Sequence, residues 1–255
     1  MSQKKDFIAV FDSGVGGISV LRQLGKVLPN ERYLYYGDSI NAPYGTRPVE
    51  QIRELTLAAA EKIIAQGVKA FVVACNTATS AALEALKEKY PETIVVGIEP
   101  AVALAAEAFP GGKIGVMATP ATLKGKRFLD NKAKFDAVCS ITPLPAPGLM
   151  ELVESGKSDT PEADAFLEEL LKPYLGQLDA LVLGCTHYPF VENALRRVAG
   201  ESVTLFDGAV VTAQQTKIAL EEADLLHDGC GEVIFQNSLP GEKMLTLSRQ
   251  LAGME

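Results

Sequence analysis

The sequence predicts an α/β protein built from two similar open parallel-sheet domains. Short apolar runs of strand length recur along the 255 residues, and longer segments with helical spacing of apolar residues lie between them. This alternation is typical of parallel strands that helices cover on both faces. Polar side chains follow the ends of several runs, which is where ligands bind in such sheets. We therefore expect two domains that face each other across a central active-site cleft.

Six apolar runs are the predicted strands: FIAVFD at 7–12, YLYYGD at 33–38, AFVVAC at 70–75, TIVVGI at 93–98, KIGVMAT at 113–119 and ALVLGC at 180–185. A segment from Ile52 places apolar residues at three- and four-residue intervals and ends at Gly67, so it predicts an amphipathic helix. The proline-rich segment from Ile141 to Met150 predicts a connection or an active-site loop.

Two segments of the chain are similar to each other. KAFVVACNTAT at 69–79 and DALVLGCTHYP at 179–189 both place a cysteine after a strand and follow it with hydroxyl or amide side chains. Two related α/β halves would explain the similarity, and chance likeness between two buried strands is the alternative. We assign 1–98 plus 208–255 to a first domain that carries Cys75, and 99–207 to a second domain that carries Cys185.

Composition and charge restrict the class of partner. Apolar residues make up 47% and charged residues 22% of the chain, as in ordinary globular proteins. The net charge of −8 opposes broad attraction to nucleic acid or anionic lipid. The apolar stretch among the first residues is too short for a signal peptide or a membrane span, so we expect a cytoplasmic protein. The four cysteines lack CxxC spacing and are expected to be free thiols.

Cys75 and Cys185 are the candidate chemical groups. A buried cysteine in a strand often serves as a small apolar residue. Here, however, each thiol is predicted where a strand gives way to a helix, a setting that favours a thiolate. Thr186 and His187 follow Cys185, and imidazole can hold or relay a proton near neutral pH. Cys185 and His187 could also ligate zinc, but no completing ligands are evident.

Two further loops are candidates for ligand binding. FDSGVGG, which contains Asp12 and Ser13, lacks the lysine of a phosphate-binding loop and better suits a small ammonium-bearing ligand. Asp12 could alternatively cap a helix. In APYGTR at 42–47, Tyr44 and nearby amides could clasp an anionic group, although an ordinary turn needs no ligand.

The motifs FDSGVGG, YYGDS with PYGT, VVACNTAT and LGCTHYP together resemble those of the bacterial glutamate racemases, within the aspartate/glutamate racemase superfamily. The resemblance extends over almost the whole chain. It implies two α/β domains enclosing glutamate and a two-base proton transfer at the α-carbon that interconverts L- and D-glutamate for peptidoglycan. It also implies chemistry without pyridoxal phosphate, metal or nucleotide. We further expect a homodimer.

The resemblance also implies roles for individual residues. Cys75 and Cys185 would exchange protons with substrate. From the motifs that they share, we hypothesise that Asp12 assists Cys75 and that His187 assists Cys185. Substrate contacts are expected from Asp12, Ser13, Tyr44, Gly45, Asn76, Thr77, Thr119, Thr122, Thr186 and His187. In MELVESG at 150–156, Glu154 would assist the histidine. This stretch departs from the family pattern, because Ala146, Pro147 and Gly148 stand where cysteine and proline are common and Glu151 replaces a frequent proline.

The sequence is compatible with two alternative functions. A racemase for aspartate or another amino acid would carry the same motifs, because one methylene of substrate length is invisible in them. A noncatalytic amino-acid-binding regulatory protein is the alternative from another class, since some glutamate racemases are associated with effects on DNA gyrase. The presence of both cysteines favours catalysis, and the acidic charge opposes direct DNA contact.

Overall fold

The structure is a computed structural model that describes residues 6–229 and 231–254. The chain divides into two compact units. Unit 1 comprises the described residues of Met1–Glu99 and Ala209–Glu255, and unit 2 comprises Pro100–Gly208. Each unit contains one β-sheet.

The sheet of unit 1 has five parallel strands in the order β4-β3-β1-β2-β9. These strands are β1 (Phe7–Asp12), β2 (Arg32–Gly37), β3 (Val68–Val73), β4 (Ile94–Gly97) and β9 (Glu232–Asn237). Of the three inner strands, β1 and β3 are almost wholly buried. Such strands need apolar residues on both faces, which is why they appear in the sequence as continuous apolar runs.

Helices cover both faces of this sheet. They are α1 (Ile18–Val27), α2 (Val49–Ile64), α3 (Asn76–Lys89), α10 (Ala209–Glu222) and α11 (Lys243–Ala252). Helix α1 packs against α10 and α11, and α2 packs against α3. Helix α10 returns the chain from unit 2, so unit 1 is discontinuous in sequence.

The sheet of unit 2 has four parallel strands in the order β6-β5-β7-β8. They are β5 (Lys113–Ala118), β6 (Ser140–Pro145), β7 (Ala180–Leu183) and β8 (Thr204–Phe206). Its helices are α4 (Val102–Ala108), α5 (Pro120–Lys124), α6 (Lys126–Phe135), α7 (Leu149–Glu154), α8 (Pro161–Leu171) and α9 (Glu192–Ala199). Two apolar clusters fill this unit, one beside α7, α8 and α9 and the other beside α4 and α6.

The prediction of two parallel-sheet α/β domains is confirmed. All six predicted strands exist, with ends that differ by no more than two residues. The differences matter at the two candidate thiols, because β3 ends at Val73 and β7 at Leu183. Cys75 and Cys185 therefore follow their strands and do not belong to them. The predicted helix from Ile52 is α2, which begins and ends three residues earlier than expected.

The proline-rich segment was expected to be a connection or a loop, and this expectation is wrong for its first half. Residues up to Pro145 form β6, which lies at the edge of the sheet and, among the strands of the described residues, pairs with β5 alone. Pro143 and Pro145 are two positions apart, so the N–H groups that they lack belong to the same edge of the strand. An edge strand tolerates this loss because its outer edge has no partner. Strands β8 and β9, also at sheet edges, are not apparent in the sequence.

None of the helices within residues 6–229 and 231–254 combines the length and apolar character that a membrane span requires.

Candidate active site

Cys75 is the residue that caps the amino end of α3 in unit 1. The Ala74 N–H bonds to the Phe11 carbonyl at 2.8 Å, which holds the segment before Cys75 against β1. The thiol is buried, at 5% exposure, and Ser13 Oγ lies 3.4 Å from its sulfur. The amino end of a helix carries free N–H groups and a partial positive charge, both of which stabilise a thiolate. The position of Cys75 therefore suits a group that alternates between thiol and thiolate.

Asn76 and Thr77 are the first two residues of α3. Thr77 is buried, whereas Asn76 is half-buried. Their amide and hydroxyl groups follow Cys75 directly, so all three residues lie at the carboxyl end of the unit 1 sheet.

Asp12 is fully buried at the end of β1, and its Oδ1 accepts a hydrogen bond from the Gly14 N–H at 2.9 Å. The alternative that Asp12 caps a helix is wrong, because Gly17 occupies the cap position of α1. A Cβ atom on Gly17 would lie 2.7 Å from Asp12 Cβ and 3.1 Å from Ala74 Cβ. The glycine thus allows α1 to approach the end of β1 closely, which confines Asp12 beside the segment that carries Cys75.

Tyr44 lies in the turn that follows β2, and it is almost completely buried. Its hydroxyl donates a hydrogen bond of 2.6 Å to Asp38 Oδ2, and the Asn41 amide donates to both oxygens of the same carboxylate. Burial, followed by the bond to Asp38, raises the pKa of Tyr44 well above that of a free tyrosine. Gly45 is also buried. Asp38 therefore organises this turn, a role that the sequence did not reveal.

Cys185 lies two residues beyond the end of β7 in unit 2, and it is buried at 7% exposure. His187 Nδ1 lies 3.7 Å from its sulfur. On the other side of the ring, His187 Nε2 lies 3.0 Å from Glu154 Oε1. A carboxylate can only accept hydrogen bonds, so the Nε2–H donates to it and Nδ1 faces the thiol with its lone pair. In this tautomer His187 can take a proton from Cys185 or return one to it.

Three threonines complete the polar end of unit 2. Thr119 caps the amino end of α5, where its Oγ1 accepts a hydrogen bond from the Thr122 N–H at 3.2 Å and donates to Thr122 Oγ1 at 3.0 Å. Thr122 and Thr186 are buried, and Thr119 is half-buried. These hydroxyls follow β5 and β7, which are adjacent strands in the sheet.

The structure thus gathers the predicted residues at the carboxyl end of one sheet in each unit. In unit 1 they are Asp12, Ser13, Tyr44, Gly45, Cys75, Asn76 and Thr77. In unit 2 they are Thr119, Thr122, Glu154, Cys185, Thr186 and His187. Asp38 and Tyr188 lie beside these groups without having been selected from the sequence. The sequence features that could have indicated them are the position of Asp38 directly after β2 and the position of Tyr188 directly after the Cys-Thr-His triplet.

The cysteines that the structure describes, Cys75, Cys139 and Cys185, are free thiols. Cys230, which was also expected to be free, lies outside the described residues. Within residues 6–229 and 231–254, no cluster of three or more His, Cys, Asp or Glu side chains is arranged to hold a metal ion.

Comparisons with known proteins give consistent results. A family model described as Asp/Glu/Hydantoin racemase matches residues 17–216. A glutamate racemase of Clostridium acetobutylicum is 45% identical over 254 residues, which cover 98% of this chain and 99% of that protein. The structure of a Bacillus anthracis glutamate racemase isoform matches with a TM-score of 0.88 and 31% identity, over 99% of this chain and 96% of that chain. Escherichia coli glutamate racemase, solved with L-glutamate and the activator UDP-MurNAc-Ala, gives a TM-score of 0.86 at 31% identity, over 97% and 95% of the two chains.

Proposed function

This chain belongs to the Asp/Glu/hydantoin racemase family, and we propose that it interconverts L- and D-glutamate by two-base proton transfer between substrate and the thiols of Cys75 and Cys185. The observation that carries the proposal is the pair of buried cysteines, each placed just beyond the end of a parallel strand and each contacted by a polar side chain. Glutamate is the substrate that the names of the full-length relatives support.

Racemisation needs two proton-transfer groups because the proton leaves one face of the α-carbon and returns to the other. A single base on one side would mostly restore the starting enantiomer. In the proposed reaction from L to D, the Cys185 thiolate takes the α-proton, and the Cys75 thiol gives a proton to the opposite face. The products are D-glutamate, a Cys185 thiol and a Cys75 thiolate. From D to L the roles are exchanged.

The α-proton of an amino acid is far less acidic than a thiol, whose pKa is about 8.5. The site must therefore stabilise the negative charge that develops on substrate as the proton leaves. We assign this task to Asn76, Thr77, Thr186 and nearby backbone N–H groups, which are donors held in place before the reaction begins. Donors of this kind need no reorganisation when the charge forms.

Each cysteine has its own assisting groups in the proposal. Asp12 assists Cys75, and Ser13 adds a direct contact to the sulfur. His187 assists Cys185, and Glu154 supports the histidine from its far side. Tyr44, Gly45, Thr119 and Thr122 contribute to substrate binding.

Single-cysteine variants test the proposal. Purified protein is given L-glutamate or D-glutamate, the opposite enantiomer is measured by chiral chromatography, and aspartate serves as the competing substrate. Cys75→Ala and Cys185→Ala are each expected to lower racemisation by at least about a hundredfold, the usual effect of removing a general acid or base. Cys139→Ala is the matched control, since Cys139 is an equally buried thiol that donates to the Phe135 carbonyl at 3.5 Å. It is expected to retain full activity.

Three results would contradict the proposal. Racemisation at the wild-type rate in Cys75→Ala or in Cys185→Ala would rule out the two-base reaction. Turnover of aspartate without turnover of glutamate would rule out the substrate. Equal loss of activity in Cys139→Ala would show that the losses reflect general damage and not removal of a catalytic thiol.

The biological setting follows from this reaction as further proposals. D-Glutamate made by this chain would supply peptidoglycan synthesis, and depletion of the protein is expected to be rescued by added D-glutamate. The homodimer and the cytoplasmic location expected from the sequence stay predictions. Sedimentation of the purified protein and fractionation of cells test them.

A further inference from the structure

Tyr188 is a buried tyrosine that immediately follows His187 in the chain. It begins a short 3₁₀ helix, Tyr188–Val191, and only 1% of the residue is exposed. Its hydroxyl donates a hydrogen bond of 3.1 Å to the Ala146 carbonyl. Burial raises the pKa of Tyr188 far above that of a free tyrosine, so the hydroxyl keeps its proton and remains a donor.

Ala146 occupies the connection between β6 and α7. Its own N–H donates to the Ala118 carbonyl at 3.2 Å, so the residue is tied to the end of β5 as well. Helix α7 begins shortly afterwards at Leu149 and ends at Glu154. The carbonyl that Tyr188 holds is therefore at the entrance to the helix that carries Glu154.

Helix α7 has only six residues, too few to be stable without tertiary contacts. Leu149 and Val153, on its inner face, belong to the same buried apolar cluster as the Tyr188 ring. Its first end is held through Ala146 by Tyr188, and its last residue, Glu154, contacts His187. The neighbouring residues His187 and Tyr188 thus contact the last residue of α7 and the connection that leads into the helix.

We propose that Tyr188 is a positioning residue that, by holding Ala146, fixes α7 so that Glu154 meets His187 and thereby controls proton transfer at Cys185. The link from Tyr188 to His187 stands on geometry alone. Its consequence for Cys185 rests on the proposed racemase function. Two readouts separate these parts, one without substrate and one with it.

The first readout is the ¹⁵N resonance of the histidine side chains in substrate-free protein. The chain has two histidines, so selective labelling gives two rings to assign. Tyr188→Phe removes one oxygen and is expected to shift the His187 resonances and their pH profile toward those of Glu154→Gln, while His227 stays unchanged. Tyr33→Phe is the matched control, because the buried Tyr33 hydroxyl likewise donates to backbone carbonyls, those of Leu24 and Leu28, but in unit 1.

A second variant tests the same helix without altering the phenol. Val153→Ala removes apolar packing from α7 and is expected to shift His187 in the same direction as Tyr188→Phe, provided that circular dichroism shows both variants folded. The proposal would be overturned if the His187 resonances of Tyr188→Phe match those of the wild type. This holds whether or not Glu154→Gln shifts them. A Tyr33→Phe shift of equal size would also overturn it, because the effect would then be unspecific.

The second readout is kinetic. The two enantiomers have equal free energy in solution, so kcat/KM must fall equally in both directions, and we expect about a tenfold loss in Tyr188→Phe. The isotope effects in the two directions must change differently, because Tyr188→Phe slows proton transfer at Cys185 and not at Cys75. The deuterium effect on kcat/KM is expected to rise with L-[2-²H]glutamate and to fall with D-[2-²H]glutamate, and Tyr33→Phe should change neither. If the isotope effects are unchanged in Tyr188→Phe, Tyr188 does not control proton transfer at Cys185. If the wild-type protein racemises no glutamate, the proposed function is wrong, but the histidine measurement remains valid.

Discussion

Glu154 Oε1 lies 3.0 Å from His187 Nε2, while the opposite nitrogen of the same ring lies 3.7 Å from Cys185 Sγ. The imidazole therefore connects a carboxylate to a thiol within one unit of the protein. A carboxylate in this place fixes the tautomer of the ring and stabilises the imidazolium that forms when the ring accepts a proton.

Glu154→Gln tests this relationship directly. The amide keeps the size of the side chain but removes its charge, and hydrogen bonds to charged groups contribute about 1.5–3 kcal/mol. We expect kcat/KM for glutamate to fall by about 10- to 100-fold, measured by the rate of racemisation. Glu151→Gln, on the exposed face of the same helix, is the control and should retain wild-type kinetics. Equal rates for Glu154→Gln and wild type would exclude a supporting role for Glu154.

Ser13→Ala removes the hydroxyl that lies 3.4 Å from Cys75 Sγ. Loss of one hydrogen bond to a thiolate should lower kcat/KM by about tenfold with little change in the unfolding midpoint. Ser19→Ala is a matched control, because that buried hydroxyl bonds to the Gly16 carbonyl at 2.9 Å. Kinetics that are no slower in Ser13→Ala than in Ser19→Ala would argue against any contribution of Ser13 to the thiol.

Gly17→Ala and Gly25→Ala form an opposed pair within one segment of unit 1. The new Cβ at position 17 would lie 2.7 Å from Asp12 Cβ, so we expect a loss of about 1–3 kcal/mol in the free energy of unfolding together with reduced activity. At position 25, inside α1, the new Cβ meets no atom of the described residues within 4 Å, and alanine should stabilise the helix by about 0.5–1 kcal/mol. Urea denaturation measures both values, and destabilisation of similar size at the two sites would disagree with the packing around Asp12.

The alkaline stability of the protein should depend on three buried tyrosines. Burial raises the pKa of Tyr33, Tyr44 and Tyr188 above the value of about 10 that a phenol has in an unfolded chain. Above pH 10 the folded state therefore binds more protons than the unfolded state, and the free energy of unfolding must fall as pH rises. The chain contains seven tyrosines and no tryptophan, so absorbance at 295 nm reports phenolate formation cleanly. Ionisation of all seven tyrosines near pH 10 in the folded protein would contradict the burial of Tyr33, Tyr44 and Tyr188.

Much of the fold was readable from the sequence because parallel strands buried on both faces must be continuously apolar. The strand that ends at Asp12 and the strands that end just before Cys75 and Cys185 are of this kind, which is why these three residues could be placed at strand ends. Strands β6 and β9 could not be read in the same way. They lie at sheet edges, where one carries prolines and the other is only partly buried.

The contacts of the candidate site were less accessible to sequence reasoning than its cysteines. The family resemblance indicated Glu154 as a site residue although its segment matches the family pattern imperfectly. The distance from Glu154 to His187, however, depends on how α7 packs. The bond from Tyr44 to Asp38 and the bond from Tyr188 to Ala146 join segments that local patterns do not relate. Such pairings are set by tertiary packing and not by local sequence.

The position of deuterium in the first products tests the central claim most directly. L-Glutamate is incubated with the wild-type protein in deuterated water, and the α-position of each enantiomer is followed by mass spectrometry during the first few per cent of conversion. If two separate thiols act, the D-glutamate formed carries deuterium from the Cys75 thiol, while the remaining L-glutamate keeps its original proton. The same pattern with the enantiomers exchanged is expected from D-glutamate. Deuterium entering both enantiomers at equal initial rates would show that one base serves both faces, and the two-cysteine reaction would be wrong.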